Sequence, residues 1–161
     1  MIEQFFPGTS TDSEAIEVVN NTYKNKLNDI KNTANFLNDN IPILEKIALI
    51  ISRLFDCSWD GNKKITIVPA VCPVCPRFID ENKFMLAYYF DKNALLTICA
   101  HEMTHFLYFK KLRELLPNLE IDTEYPSNDW LISEIIVMAI TDNKDIQKLV
   151  KHREEYLSIP A

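Results

Sequence analysis

The stretch LLTICAHEMTHFLYF, residues 95–109, constrains the fold more than any other part of the chain. It is almost wholly apolar, yet it holds two of the three histidines, His101 and His105, with Glu102 between them. Such a run reads as a buried helix. Asp91 can cap it, and Pro117 stops it near Leu116. The rest of the chain has to cover this helix and satisfy its polar side chains, because two imidazoles and a carboxylate buried without partners would be costly. Positions i and i+4 share one face of a helix. His101 and His105 can therefore grip one metal ion, and zinc suits two neutral imidazoles. Glu102 is rotated about 100° from His101 around the helix. It is free to act on a metal-bound water as a general base while that water attacks a carbonyl. The pattern H-E-x-x-H is the spacing that metal-assisted amide hydrolysis requires.

The flanking segments suggest how the helix is covered. Thr11-Asp12-Ser13-Glu14 fits a capping box. Ile16, Val19, Tyr23, Leu27, Ile30, Ala34 and Leu37 then form one amphipathic stripe. Asn40 and Pro42 start a second helix carrying Leu44, Ile47, Ala48, Ile51, Leu54 and Phe55. Between these helices and the central one, KITIVPAV and KFMLAYYF read as strands over about 64–68 and 83–90. Pro69, Pro73 and Pro76 exclude a helix between the strands and argue against a regular hairpin. After the central helix, Ser127 to Asp129 offer caps for a second buried-looking helix, WLISEIIVMAITD. A polar terminal helix follows, with a thin stripe of Ile146, Leu149, Val150 and Tyr156. The order of helices, small sheet and helices is that of an α+β chain. It forms a single domain over 1–161, with a helical part at 1–60 and the sheet, H-E-x-x-H helix and later helices at 61–161.

These residues resemble the zincin metallopeptidases, whose active-site helix carries H-E-x-x-H. The resemblance covers about residues 83–142 and implies a minimal zincin-like domain, mostly helical, with its small sheet before the active helix. The metzincin branch adds G-x-x-H, but Tyr108 and Lys111 stand in those places. The gluzincin branch takes its third ligand from a glutamate on a later helix. Glu124 lies nineteen positions after His105 but in a loop. Glu134 is the one acid in a helix of apolar residues, and W-L-x-x-E looks like the ligand helix of gluzincin aminopeptidases. Glu134 is therefore favoured over Glu124 as the third ligand. The branch also implies an oxyanion-stabilising electrophile, for which Tyr125, His152 and Tyr156 are candidates. In thermolysin-like enzymes an Asp four residues after the ligand Glu orients the first histidine. Met138 stands there, leaving Asp142 or Asp129 for that task. In the same fold the strand before the active helix lies along the cleft, so KFMLAYYF would offer an edge to an extended peptide. The order of elements also resembles the small cytoplasmic peptidases that cleave phage-type repressors, although their E-x-x-A-x-x-F signature is absent.

Composition narrows the partners. The formal net charge is -6, a poor match for nucleic acid, where basic surface supplies most of the affinity. No apolar run has the length of a membrane span, and the N-terminus lacks a secretory pattern. Cys57, Cys72, Cys75 and Cys99 do not read as a disulfide framework, which favours a reducing cytoplasm. CPVCP is half of a zinc knuckle without its second half, and reads as a proline-stiffened loop. The expected function is a cytoplasmic zinc metallopeptidase acting on a peptide or protein, with no nucleic acid or membrane partner. A protein partner could dock on the N-terminal helices. The alternative is a metal-binding or inactive zincin-like interaction module without turnover.

Overall fold

The computed structural model describes residues 11–150, apart from 60, 62, 63 and 73. Helix α1 (Asp12–Asp39) starts on the expected capping box. Thr11 Oγ1 accepts from the Glu14 N–H at 3.3 Å, and the Glu14 carboxylate accepts from the Thr11 N–H at 3.0 Å. Each side chain thereby satisfies a donor that the helix itself cannot. The apolar stripe is used unevenly. Ile30 and Leu37 are buried, whereas Ile16, Tyr23 and Leu27 are exposed. The amphipathic stripe expected from sequence therefore enters the core from Ile30 onward. The Asn40 side-chain amide donates to Phe36 O at 2.8 Å and closes α1. Helix α2 (Ile41–Phe55) follows, with proline in its first turn and Leu44, Ile47 and Ile51 in the core. Trp59 Nε1 donates to Ala48 O at 2.9 Å, which ties the chain beyond α2 back onto it.

The sheet has three strands, β1 (Thr66–Ala70), β2 (Arg77–Phe78) and β3 (Lys83–Ala87), in the order β1-β3-β2. Strands β1 and β3 run parallel, from Thr66 opposite Lys83 to Ala70 opposite Ala87. Strand β2 lies antiparallel to β3, with Arg77 opposite Phe84 and Phe78 opposite Lys83. Four expectations are corrected here. Strand β1 ends at Ala70, and β3 stops at Ala87, before the tyrosine pair. The proline loop leads into a third, two-residue strand. As the central strand, β3 is paired on both sides, and Met85 N also donates to Pro76 O at 2.9 Å. It is not the free edge expected for peptide pairing. Pro69 sits on the outer strand β1, where a missing N–H is tolerated. Strand β3 turns Phe84 and Leu86 into the core.

Helix α3 (Lys92–Leu115) runs through the centre of the molecule. Asp91 Oδ1 accepts from the Ala94 N–H at 2.9 Å, the cap expected from sequence. Every residue from 102 to 109 is buried. Helix α4 (Asn128–Thr141) packs on α3 and is capped by Ser127 Oγ, which accepts from the Trp130 N–H at 3.0 Å. It buries Ser133, Val137 and Thr141 but exposes Leu131, Ile132, Ile135 and Met138. The second buried-looking helix is thus buried on one face only. Helix α5 (Lys144–Val150) inserts Ile146 and Val150 into the core. The remainder of the expected terminal helix, including His152 and Tyr156, lies outside the described residues. Mostly helical with one small sheet, the chain is α+β. Among the described residues no helix is long and apolar enough to cross a membrane.

Candidate metal centre

The buried stretch of α3 places His101 and His105 one turn apart, with their Nε2 atoms separated by 3.1 Å. Glu134 comes to them from α4. Its carboxylate oxygens lie 3.3 Å from His101 Nε2 and 3.3 Å from His105 Nε2. Among the described residues, these three form the cluster whose ligand atoms all lie within 4.8 Å of one another. Glu124 is exposed in the loop before α4 and is not part of it.

Burial sets the protonation states. It pulls the proton affinity of His101 down, and that of His105 down to about 4. Both imidazoles are therefore neutral at pH 7, and a neutral imidazole has one ring nitrogen without a proton to offer a metal ion. Burial also works against the Glu134 carboxylate. A hydrogen bond with His105 and the nearby His105, His101 and Arg77 charges outweigh it and hold Glu134 below the usual carboxylate range. With the imidazoles uncharged at neutral pH, Arg77 is the cation that remains beside it. Two neutral nitrogens and one ionised carboxylate are a donor set that zinc accepts, so the residues fit the ion.

Glu102 is 4% exposed, so it is not a solvated surface acid. Desolvation lifts its carboxyl to about 7, against the opposing pull of Arg77. Arg77 was not anticipated from sequence. From β2 its Nη1 reaches Glu102 Oε2 at 3.5 Å and its Nη2 reaches Glu134 Oε1 at 3.2 Å. No local pattern marks this arginine, because its partners lie 25 and 57 positions away.

The other expected residues are placed less centrally. Tyr125 is 74% exposed and packs edge-on against Trp130, with ring centroids 4.9 Å apart. Met138 points outward at 58% exposure. The Asp129 carboxylate accepts from the Asp122 N–H at 3.0 Å, closing the loop before α4. Among the described residues the buried His105 Nδ1 has no hydrogen-bond partner, so no carboxylate holds that ring by its far nitrogen. The four cysteines are free thiols. Cys57 Sγ lies 3.7 Å from Glu114 Oε1, in the last turn of α3, and burial raises the thiols of Cys75 and Cys99. None of the four joins a metal-binding cluster among the described residues. Two surface cavities, of about 420 and 530 Å³, are lined by neither histidine nor by Glu102 or Glu134.

The fold and the site together define an α+β chain with a His-His-Glu centre on two packed helices. Comparison of the chain with protein-family models, curated proteins and solved structures finds no match.

Proposed function

We propose that the protein is a zinc-dependent metallopeptidase of the zincin type. His101, His105 and Glu134 hold the ion, and Glu102 serves as general base. The observation that carries this reading is the convergence of the three ligand atoms at 3.1 to 3.3 Å beside a buried glutamate. Zinc, when bound there, supplies a Lewis acid that polarises a carbonyl and eases loss of a proton from water. Glu102 takes a proton from the attacking water as its oxygen bonds to the amide carbon. It then hands that proton to the departing amine as the C–N bond breaks. A carboxyl held near 7 is suited to both halves of that exchange. The substrate class is a peptide or protein. The charge of -6 disfavours nucleic acid. The free thiols are in keeping with a reducing compartment such as the cytoplasm. Exposed Ile16, Tyr23 and Leu27 on α1 supply an apolar face for a protein partner.

A second reading, a metal-binding module without turnover, is favoured by one observation. Glu102 is buried and already engaged by Arg77. The two readings separate on a simple experiment. Protein stripped with a chelator is titrated with zinc by calorimetry, and hydrolysis is followed on denatured protein substrates. The peptidase binds one zinc and loses turnover, though not zinc, in Glu102→Gln. The module binds one zinc and shows no turnover in either form. Failure to bind zinc stoichiometrically overturns both.

A further inference from the structure

Arg77 has no task in the reaction above, yet both acids of the site converge on it. Its side chain is 11% exposed, and its guanidinium bridges Glu102 Oε2 on α3 to Glu134 Oε1 on α4. It stands 5.8 Å over the ring of Trp130, also on α4. Among the described residues its buried Nε–H has no acceptor, and its bonds to the two acids run through the Nη nitrogens. The backbone that aims it is well fixed. In β2 Arg77 pairs with Phe84 of β3, and Pro76, the residue before it, accepts through its carbonyl from the Met85 N–H.

The usual way to stiffen a metal centre is a carboxylate on the far nitrogen of each ligating histidine. Among the described residues His105 has none, because nothing pairs with its Nδ1. For His101, the position at which a thermolysin-like enzyme would carry the orienting acid holds Met138, which is exposed. At His105 the fastening falls on the acid that meets its Nε2, and not on its far nitrogen. A guanidinium is a planar fork with donors at fixed spacing, so it holds two carboxylates at a set separation.

We propose that Arg77 is the positioning residue of the metal centre: one guanidinium that fixes the Glu102 and Glu134 carboxylates in a common frame. The inference rests on the zinc reading above. Arg77 acts through the two glutamates, so the general base and the third ligand keep their spacing when the ion enters. The task belongs to the fork and not to the charge, and Lys cannot perform it, being a single-point donor on a flexible stem.

The test uses zinc and cobalt alone. Zinc affinity is measured by competition with a chromophoric chelator, and ligand geometry by the visible absorption of the cobalt-loaded protein. Thermal melts of the metal-free forms report folding. Arg77→Lys keeps the charge and loses the fork. It is expected to bind zinc about 10- to 100-fold more weakly and to change the cobalt bands. A second pair of variants leaves Arg77 in place. Glu102→Gln retains an oxygen for Nη1, whereas Glu102→Ala removes that arm of the clamp without touching a ligand. Glu102→Ala should therefore bind zinc several-fold more weakly than Glu102→Gln, and this pair decides the matter if Arg77→Lys does not fold. Arg77→Lys matching the wild type in affinity and spectrum overturns the inference, as does equal affinity in the two Glu102 variants. In those cases a wild type binding one zinc keeps the metal reading intact. A wild type that binds none overturns both.

Discussion

The same burial pushes Glu102 and His105 in opposite directions, and the metal-free protein should register it. Folded His105 takes its proton only near pH 4, against an ordinary value of 6.5. Between those values the unfolded chain holds the extra proton, so this residue makes stability rise with pH. Folded Glu102 keeps its proton up to about 7, against an ordinary 4.5. Between those values the folded chain holds the extra proton, so this residue makes stability fall with pH. Each slope is at most about 1.4 kcal/mol per pH unit, and they oppose one another from about pH 4.5 to 6.5. Removing the carboxyl with Glu102→Gln should leave the rising slope uncompensated. Urea midpoints of the metal-free forms should diverge across that interval, with the variant gaining on the wild type as pH rises. Parallel profiles would contradict a buried, protonated Glu102. A second expectation concerns the ligands. Glu134→Ala should abolish stoichiometric zinc binding in calorimetry, while Glu124→Ala leaves it intact. The sequence made much of this centre legible, because His101, Glu102 and His105 are related by one helical turn. Glu134 was legible as the one acid among apolar neighbours, where an unpaired charge is hard to bury. Arg77 was not, since a two-residue strand has no periodicity and its partners are distant in sequence.

At the level of elements, helix starts were readable because a cap is a local event. Thr11, Asp91 and Ser127 each accept the backbone N–H bond expected of them. Replacing Ser127 with Ala should cost about 1 kcal/mol, read as a lower denaturant midpoint at unchanged m-value. What an apolar face touches is a tertiary matter, and there sequence reasoning overreached. Helix α4 is apolar nearly all round but buries only one side, because α3 covers that side. Its two faces should respond differently. Val137→Ala, at a fully buried position, should cost about 2 kcal/mol. Ile135→Gln, on the exposed face, should stay within about 0.5 kcal/mol. Equal effects would mean that the outer face is covered in solution. The parallel pairing of β1 with β3 was also hidden, since alternation marks a strand and not its partner.

For the whole molecule, the proposed centre joins α3 to α4, so filling it should stabilise the fold as a unit. Zinc at about 100 times its dissociation constant should add about 2.7 kcal/mol and raise the melting temperature by several degrees. His105→Ala should abolish that increment, which a thermal scan with and without zinc would reveal. Helix α1 should behave differently from this centre. Its second half is anchored through Leu37 and through Thr33, whose hydroxyl donates to Tyr88 O at 3.0 Å. Its first half carries Ile16 and Tyr23 in the open. A helix propagates from an anchored turn but frays where packing stops supporting it. Amide hydrogens in the first half should therefore exchange with solvent through brief local opening. Those around Thr33 and Leu37 should wait for the entire chain to come apart, so one continuous helix would carry two clocks.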